Sequence, residues 1–278
     1  MNKLLRHVFH ALCAVLFVTV LAACGSSKTV DPLTPSRVIG LGDTLNDIST
    51  AAGGGTAHTA RIAGADADAS VVGHLATLFG VSNVVSYASS TNQLISDLSA
   101  QIDNLGGLSA SADLVVITVG TQDIILGHSG TSVAPTLVSQ IQRLLDKGAR
   151  HVLVMPPLDL SKAPTPPANA ANAATFAADL SSALQNAFSG RYANNVVIYG
   201  NNPLSLNFAL ATASRTYPYS DGYGTFNDTY QSICGAGTTG CDRADDGGYL
   251  FADNYNLTPT GNRWVAQNLF AATGSGWR

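Results

Sequence analysis

The chain has 278 residues, of which 46% are hydrophobic and only 12% are charged, and its formal net charge is −4. A chain of this length and apolar content can bury the core of one α/β domain. The absence of any basic run argues against nucleic acid as a partner. All 18 acidic residues are Asp, because the sequence contains no Glu, so any carboxylate chemistry must use Asp.

Residues 1–23 have the composition of an export signal. Two basic residues precede an apolar run from Val8 to Ala22, which has the length of a signal-peptide core and is too short to span a bilayer comfortably. The run ends in Leu21-Ala22-Ala23-Cys24, which resembles a bacterial lipobox with Cys24 as the lipidated first residue of the mature chain. An ordinary cleavage site beside an incidental Cys is the alternative. A lipid on Cys24 would anchor the protein to a membrane of the cell envelope, and Gly25 favours the outer membrane.

Residues 24–36 form a polar tether, and residues 37–278 are predicted to form one domain in which strands and helices alternate. The predicted strands are Arg37–Leu41, Val84–Ala88, Leu114–Val119, His151–Met155 and Asn195–Tyr199. The predicted helices are Asp66–Phe79, Asn92–Leu105, Ser132–Lys147, Ala168–Phe188, Leu204–Ala213 and Thr258–Ala271, with a long loop over residues 214–248. This alternation predicts an α/β fold in which helices cover both faces of a central, mostly parallel, five-stranded sheet.

Four polar segments are predicted at the carboxyl edge of this sheet, where open α/β sheets bind ligands. They are Gly42–Asp47, Tyr87–Ser90, Gly120–Asp123 and Asp253–Pro259. In this order and context they resemble the motifs of the SGNH or GDSL hydrolase family of esterases and lipases. The segment Lys147–Pro156 adds a similarity to the lipase-like, outer-membrane-associated branch. The resemblance covers residues 37 to 270 and implies a three-layer α/β/α, flavodoxin-like fold and hydrolysis of carboxylic esters; no cofactor or metal site is predicted.

The family motifs place three residues at the positions of a catalytic triad. Thr44 occupies the nucleophile position, Asn256 the position of the base, and Asp253 the position of the carboxylate that orients it. Thr keeps the hydroxyl, but its extra methyl stiffens the side chain and crowds the attack path. Asn is the severe change, because an amide has no useful basicity near neutral pH. Loss of the base in triad enzymes costs on the order of 10⁶ in turnover.

The oxyanion-hole positions are altered as well. They fall on Ser90, Gln122 and Gly120, and Gln122 carries its donor one methylene farther than the Asn of the family motif. Asp43 and Asp123 match the motifs and are predicted to support the site, although Asp43 and Thr44 could also serve only to cap the turn that follows the first strand.

Four histidines follow the predicted signal, at positions 58, 74, 128 and 151. His128, five residues beyond Asp123, is the best placed to replace the missing base. The alternative for each is an exposed or locally hydrogen-bonded side chain.

The long loop contains two further features. Cys234 and Cys241 are predicted to form a short-loop disulfide in an oxidising envelope compartment, and a metal site is the weaker alternative because no His follows residue 151. The loop tyrosines could line a sugar-binding or acyl-binding groove, or could simply cover the edge of the sheet; they are Tyr217, Tyr219, Tyr223 and Tyr230.

Three functions fit these observations. The first is a catalytically impaired envelope lipoprotein that retains the family's site and binds an acylated or glycan ligand. The second is an atypical but active esterase or lipase that uses Thr44. The third is a structural surface protein whose site is filled.

Overall fold

Five short strands form a parallel sheet in the computed structural model, which describes residues 33–48, 70–89, 93–158, 160, 166–190, 197–199, 219–220, 225–226, 228–232, 249–251, 257 and 259–273. The strands are β1 (Arg37–Gly42), β2 (Val84–Ser86), β3 (Asp113–Thr118), β4 (Val152–Met155) and β5 (Val197–Tyr199). Their order is β2-β1-β3-β4-β5, and every neighbouring pair is parallel. The predicted α/β fold with a parallel sheet is therefore confirmed, and the strand order is the flavodoxin-like one.

Six helices lie among the described residues. They are α1 (Val71–Phe79), α2 (Leu98–Asp103), α3 (Thr121–Ile125), α4 (Gly130–Asp146), α5 (Ala173–Ala187) and α6 (Pro259–Thr273). Three-residue 3₁₀ turns lie at Thr44–Asn46, Ile95–Asp97 and Ala170–Asn172. None of the helices in the described ranges is both long and apolar enough to cross a membrane.

The helices cover both faces of the sheet. Successive residues of a strand point to opposite faces, so each strand contributes side chains to two apolar clusters. In β3, Leu114 and Val116 pack with α1 and α6 in one apolar cluster. Val115 and Ile117 pack with α2, α4 and α5 in the other. All four side chains are fully buried, so β3 has the continuous apolar sequence expected of a strand that is covered on both sides.

Several boundaries differ from the predicted ones for local reasons. The helix predicted over Asn92–Leu105 begins as a 3₁₀ turn and ends at Asp103. The helix predicted from Ser132 begins at Gly130, because the Ser129 side chain caps it by accepting from the Ser132 amide at 3.2 Å. Its predicted C-terminal glycine, Gly148, adopts φ +106°. The helix predicted from Ala168 begins at Ala173, after a 3₁₀ turn.

The segment predicted as a long loop over residues 214–248 is not wholly irregular. It contains the short strands β6 (Tyr219–Ser220), β7 (Thr225–Phe226) and β8 (Asp228–Ser232). β6 pairs with β7, and β8 pairs with β9 (Tyr249–Phe251). The prediction of a structureless loop was wrong because strands of two to five residues give too few alternations to be recognised. The helix predicted over Leu204–Ala213 lies outside the described residues.

Candidate active site

The turn after β1 lies at the point where the sheet's connections reverse direction. β1 has β2 on one side and β3 on the other, and in doubly wound sheets ligands bind beyond the carboxyl ends of the strands at this switch point. Gly42–Asp47 follows β1, and Gly120–Asp123 follows β3. Two of the four predicted site segments are therefore brought side by side in the place where a ligand crevice is expected.

Gly42 permits the close approach of this turn to β3. Its φ is +107°, and a Cβ atom at this position would lie 1.8 Å from the Thr118 carbonyl oxygen. The next amide, of Asp43, donates to the same oxygen at 2.8 Å. A side chain at position 42 would therefore separate the turn from β3, so only glycine fits here.

Asp43 caps the 3₁₀ turn that begins at Thr44. Its side chain accepts a hydrogen bond from the Leu45 amide at 3.2 Å, as expected of an N-cap Asp. Burial raises the pKa of the Asp43 carboxyl to about 6, and the Thr118 hydroxyl, the Leu45 amide and the Thr121 hydroxyl offset only part of that effect. The capping role considered from the sequence is thus the one that the geometry supports.

Thr44 is the first residue of the turn and is half-buried. Within the described ranges, no hydrogen bond engages its hydroxyl. Asn46 is fully buried and anchors the turn to the two strands. Its Nδ2 atom donates to the Leu41 and Val116 carbonyls, both at 3.0 Å. The turn that carries Thr44 is thus fastened to β1 and to β3.

The segment after β3 forms the short helix α3. Gly120 precedes it with φ +104°, and a Cβ there would lie 2.9 Å from the Phe176 ring. Gln122 is half-buried in the first turn of α3. Asp123 is 2% exposed, and its Oδ2 atom accepts from the Ile95 amide at 3.0 Å. The carboxylate therefore joins the segment after β3 to the segment that follows β2.

His128 is held by the other oxygen of the same carboxylate. Its Nδ1 atom lies 3.1 Å from Asp123 Oδ1, and its side chain is 43% exposed. In the tautomer that donates from Nδ1 to this carboxylate, Nε2 is the acceptor nitrogen of the ring. The other described histidines lie elsewhere: His74 is on α1, and His151 precedes β4 at the amino edge of the sheet, where burial lowers its pKa.

The sequence of this chain matches the model of a known family. The model of the family described as GDSL-like Lipase/Acylhydrolase matches residues 39–269. The chain belongs to the GDSL-like lipase/acylhydrolase family. The matched range includes all four predicted motif segments, so the family resemblance inferred from those segments is confirmed.

Solved structures of GDSL proteins share the fold at low sequence identity. A lipolytic protein of the G-D-S-L family from Veillonella parvula is 14% identical, with a TM-score of 0.53, over 84% of this chain and 96% of that one. A putative GDSL-like lipase from Parabacteroides merdae is 11% identical, with a TM-score of 0.53, over 88% of this chain and 98% of that one. Identities this low show the common fold alone. No curated protein sequence matches the chain.

The remaining predicted site residues of this GDSL-family chain lie outside the described residues. They are Cys24, Ser90, Cys234, Cys241, Asp253 and Asn256, and the side chains of the four loop tyrosines are likewise not described. The lipid anchor, the disulfide and the positions of the triad base and its carboxylate therefore stay predictions.

One buried residue beside the site was missed from the sequence. Gln101 bonds both polar backbone groups of Gly42. The signal for it was present, because Gln101 follows Leu98 by three positions and precedes Ile102 on the apolar side of the predicted helix. A polar residue at such a position needs buried hydrogen-bond partners.

We expect Asp43 to make stability fall as pH rises. Its pKa is about 6 in the folded chain against an ordinary value of 3.8, so the folded state binds the proton more tightly, and that stabilisation is complete below pH 4 and lost as pH rises through 6. Asp43→Asn keeps the acceptor for Leu45 and removes this titration. Urea unfolding should show the free energy of unfolding of the variant rising by about 2 kcal/mol relative to that of the natural chain between pH 4 and pH 7. An unchanged difference at the two pH values would contradict the assignment.

Proposed function

We propose that this protein is a lipid-anchored envelope member of the GDSL family that binds an acylated lipid or glycan beside Thr44 and hydrolyses esters poorly. The observation that carries the proposal is the contrast between an intact turn and an altered triad. Gly42, Asp43 and Asn46 build and hold the turn that presents the Thr44 hydroxyl. The sequence nevertheless has Asn256 where the family motif has its base.

The two halves of this contrast have different physical meanings. A buried carboxyl in Asp43 and a fully buried amide in Asn46 are costly groups that hold the turn at Thr44 in one conformation, and a turn held in this way supports a binding role. Without a base, however, a hydroxyl keeps its proton and attacks a carbonyl very slowly. Binding of an acyl group does not need the base, so a ligand-binding role is compatible with both observations.

A second candidate is an atypical esterase in which His128 replaces the base. The observation that favours it is the His128–Asp123 hydrogen bond, because a carboxylate that fixes one ring nitrogen leaves the other as a proton acceptor, as in hydrolytic triads. His128 lies beyond the end of α3, after the turn at Gly127, whereas Thr44 begins the turn after β1. A local bond that ends α3 accounts for the same contact, and we therefore rank this candidate second.

Hydrolysis of p-nitrophenyl acetate and butyrate separates the two candidates. We expect the natural chain, Thr44→Ala and His128→Gln to share the same low rate within about twofold, because no activated hydroxyl exists when the base is absent. Dansyl-undecanoate binding, followed by fluorescence, should be seen with the natural chain and weakened when Thr44 is replaced by the bulkier Trp. Turnover that both Thr44→Ala and His128→Gln abolish would establish the esterase; absence of dansyl-undecanoate binding would count against the binding role.

The proposed envelope location rests on Cys24 and the apolar segment before it. If Cys24 carries acyl groups, the protein should be found in the membrane fraction and should be released by detergent. Cys24→Ser should move it to the soluble fraction, with Cys13→Ser as the matched control because Cys13 lies inside the segment predicted to be removed. Retention of Cys24→Ser in the membrane fraction would show that another feature anchors the protein.

A further inference from the structure

Gln101 is an amide buried on the sheet-facing side of α2. It is 7% exposed, and Leu98 and Ile102 beside it are fully buried. Burial of an amide is unfavourable unless its donor and acceptor both find partners. The partners of Gln101 therefore indicate what the residue is for.

Both partners that Gln101 finds in β1 belong to one residue. The Gly42 amide donates to Gln101 Oε1 at 2.6 Å, and Gln101 Nε2 donates to the Gly42 carbonyl at 2.9 Å. The same Nε2 atom donates to Gln93 Oε1 at 3.1 Å. Gln93 lies in the segment that follows β2, so one side chain joins the end of β1 to that segment.

These bonds continue the sheet where β2 stops. Val38 and Gly40 direct their backbone groups towards β2: the Val38 amide donates to the Asn83 carbonyl, and the Gly40 carbonyl accepts from the Tyr87 amide. By the two-residue period of a strand, Gly42 points the same way. β2 ends at Ser86, so no strand residue pairs with Gly42 in the regular register. Gln101 accepts from the Gly42 amide, and it donates to the Gly42 carbonyl at a shorter distance than the Ser89 amide, which reaches the same oxygen at 3.3 Å.

Gly42 is also the residue from which the Thr44 turn departs. Its carbonyl accepts a second, longer bond of 3.3 Å from the Ser89 amide, and the following amide, of Asp43, donates to Thr118. A rotation of the Gly42 peptide would therefore carry Thr44 with it. We propose that Gln101 is a positioning residue, which holds both polar backbone groups of Gly42 beyond the end of β2 and thereby fixes the place of Thr44 relative to the segment after β2.

A titrating replacement tests this role directly. Gln101→Glu keeps the shape of the side chain. When its carboxyl group is protonated it can accept from the Gly42 amide and donate to the Gly42 carbonyl, as the amide does, and it loses only the donor to Gln93; when ionised it only accepts, and it repels the Gly42 carbonyl. Gln101→Met removes the bonds to Gly42 and Gln93 at all pH values. A purely space-filling role would give Gln101→Glu the same pH dependence as the parent, whereas the positioning role predicts rescue at acidic pH.

Two measurements on the full chain keep the outcomes apart. The first is the NMR resonance and hydrogen exchange of the Gly42 and Thr44 amides, which needs no activity. The second is p-nitrophenyl butyrate hydrolysis in the Thr44→Ser/Asn256→His background; this measurement alone rests on the proposed function. Gln140→Met is the matched control, because Gln140 is equally buried, at 8%, but bonds Arg143 on α4.

In the Thr44→Ser/Asn256→His background, we expect Gln101→Met to lower kcat on the order of 10²-fold with little change in KM. Small displacements of reacting groups lower the rate by about this factor. Burial at position 101 should raise the pKa of the Glu carboxyl, so Gln101→Glu should approach the parent at pH 5 and the Met variant at pH 8, in both kcat and the Gly42 and Thr44 amide signals. Gln140→Met should leave kcat and both signals unchanged.

If the double-change background is inactive, the proposed function is in question, and the amide signals alone decide the role of Gln101. Asp43 titrates near pH 6 in every variant, so the parent is the reference at each pH. Gly42 and Thr44 amide signals that change with pH no more in Gln101→Glu than in the parent would overturn the positioning role.

Discussion

Replacing Thr44 with Ser and Asn256 with His in the same chain is expected to raise p-nitrophenyl butyrate hydrolysis on the order of 10³-fold. Loss of the base in a triad enzyme costs about 10⁶ in turnover, and a misplaced oxyanion donor costs about 10²–10³. Gln122 would still place its donor too far along its side chain, so the loss of about 10²–10³ in turnover would remain. The double change should therefore recover only about 10³ of the 10⁶-fold loss. The turn that carries position 44 needs no rebuilding, because Asp43 and Asn46 hold it through backbone groups.

The single changes are the controls for this experiment. Thr44→Ser alone should gain little, because a serine hydroxyl without a base is no better activated than a threonine hydroxyl. Asn256→His alone should gain less than the pair, because the Thr methyl still crowds the attack path. Adding Gln122→Asn to the double change should give a further increase of about 10²-fold. A folded double variant as slow as the natural chain would contradict the assignment of Thr44 and Asn256 to the triad positions.

The fold was predictable because its strands and helices carry regular apolar patterns along the sequence. The central residues of β3, 114–117, are all apolar, as expected of a strand covered on both faces, and the helices between strands carry apolar residues at helical spacing. The predicted helix Asn92–Leu105 shows where such patterns lose precision. Its first turn is 3₁₀ because the Leu94 amide bonds the Asp97 side chain and the Ile95 amide bonds Asp123, and the second of these partners lies on another element.

The candidate site was predictable in its motif residues but not in their contacts. The segments at Thr44 and Gln122 are recognisable because they follow β1 and β3, whose carboxyl ends meet at one edge of the sheet. The His128–Asp123 bond was not predictable from a spacing of five residues, because it depends on the chain reversal at Gly127, with φ +81°. α3 was missed because five residues are too few for a helical period.

Gly42→Ala is expected to be the most damaging single substitution in the described part of the site. The new methyl carbon would lie 1.8 Å from the Thr118 carbonyl oxygen, and a backbone atom of a central strand cannot move aside as a side-chain tip could. The backbone conformation at φ +107° adds a penalty of its own for any residue with a Cβ. Strain of roughly 1–3 kcal/mol for the conformation and a similar amount for the overlap give a loss of about 4 kcal/mol in the free energy of unfolding.

Urea unfolding measures this loss, and Gly80→Ala is its matched control. Gly80 also has positive φ, +70°, but a Cβ there meets nothing within 4 Å, so its substitution carries the conformational cost without the overlap and should lose about 1 kcal/mol. The difference between the two variants isolates the contact with Thr118. Equal losses would mean that the turn can move away from β3, in which case the Gln101 bonds to Gly42 could not define the place of Thr44. A much larger loss at Gly42 would show that the close approach of this turn to β3 is a requirement of the fold, and that the position of Thr44 is set by the same backbone atoms that stabilise the sheet.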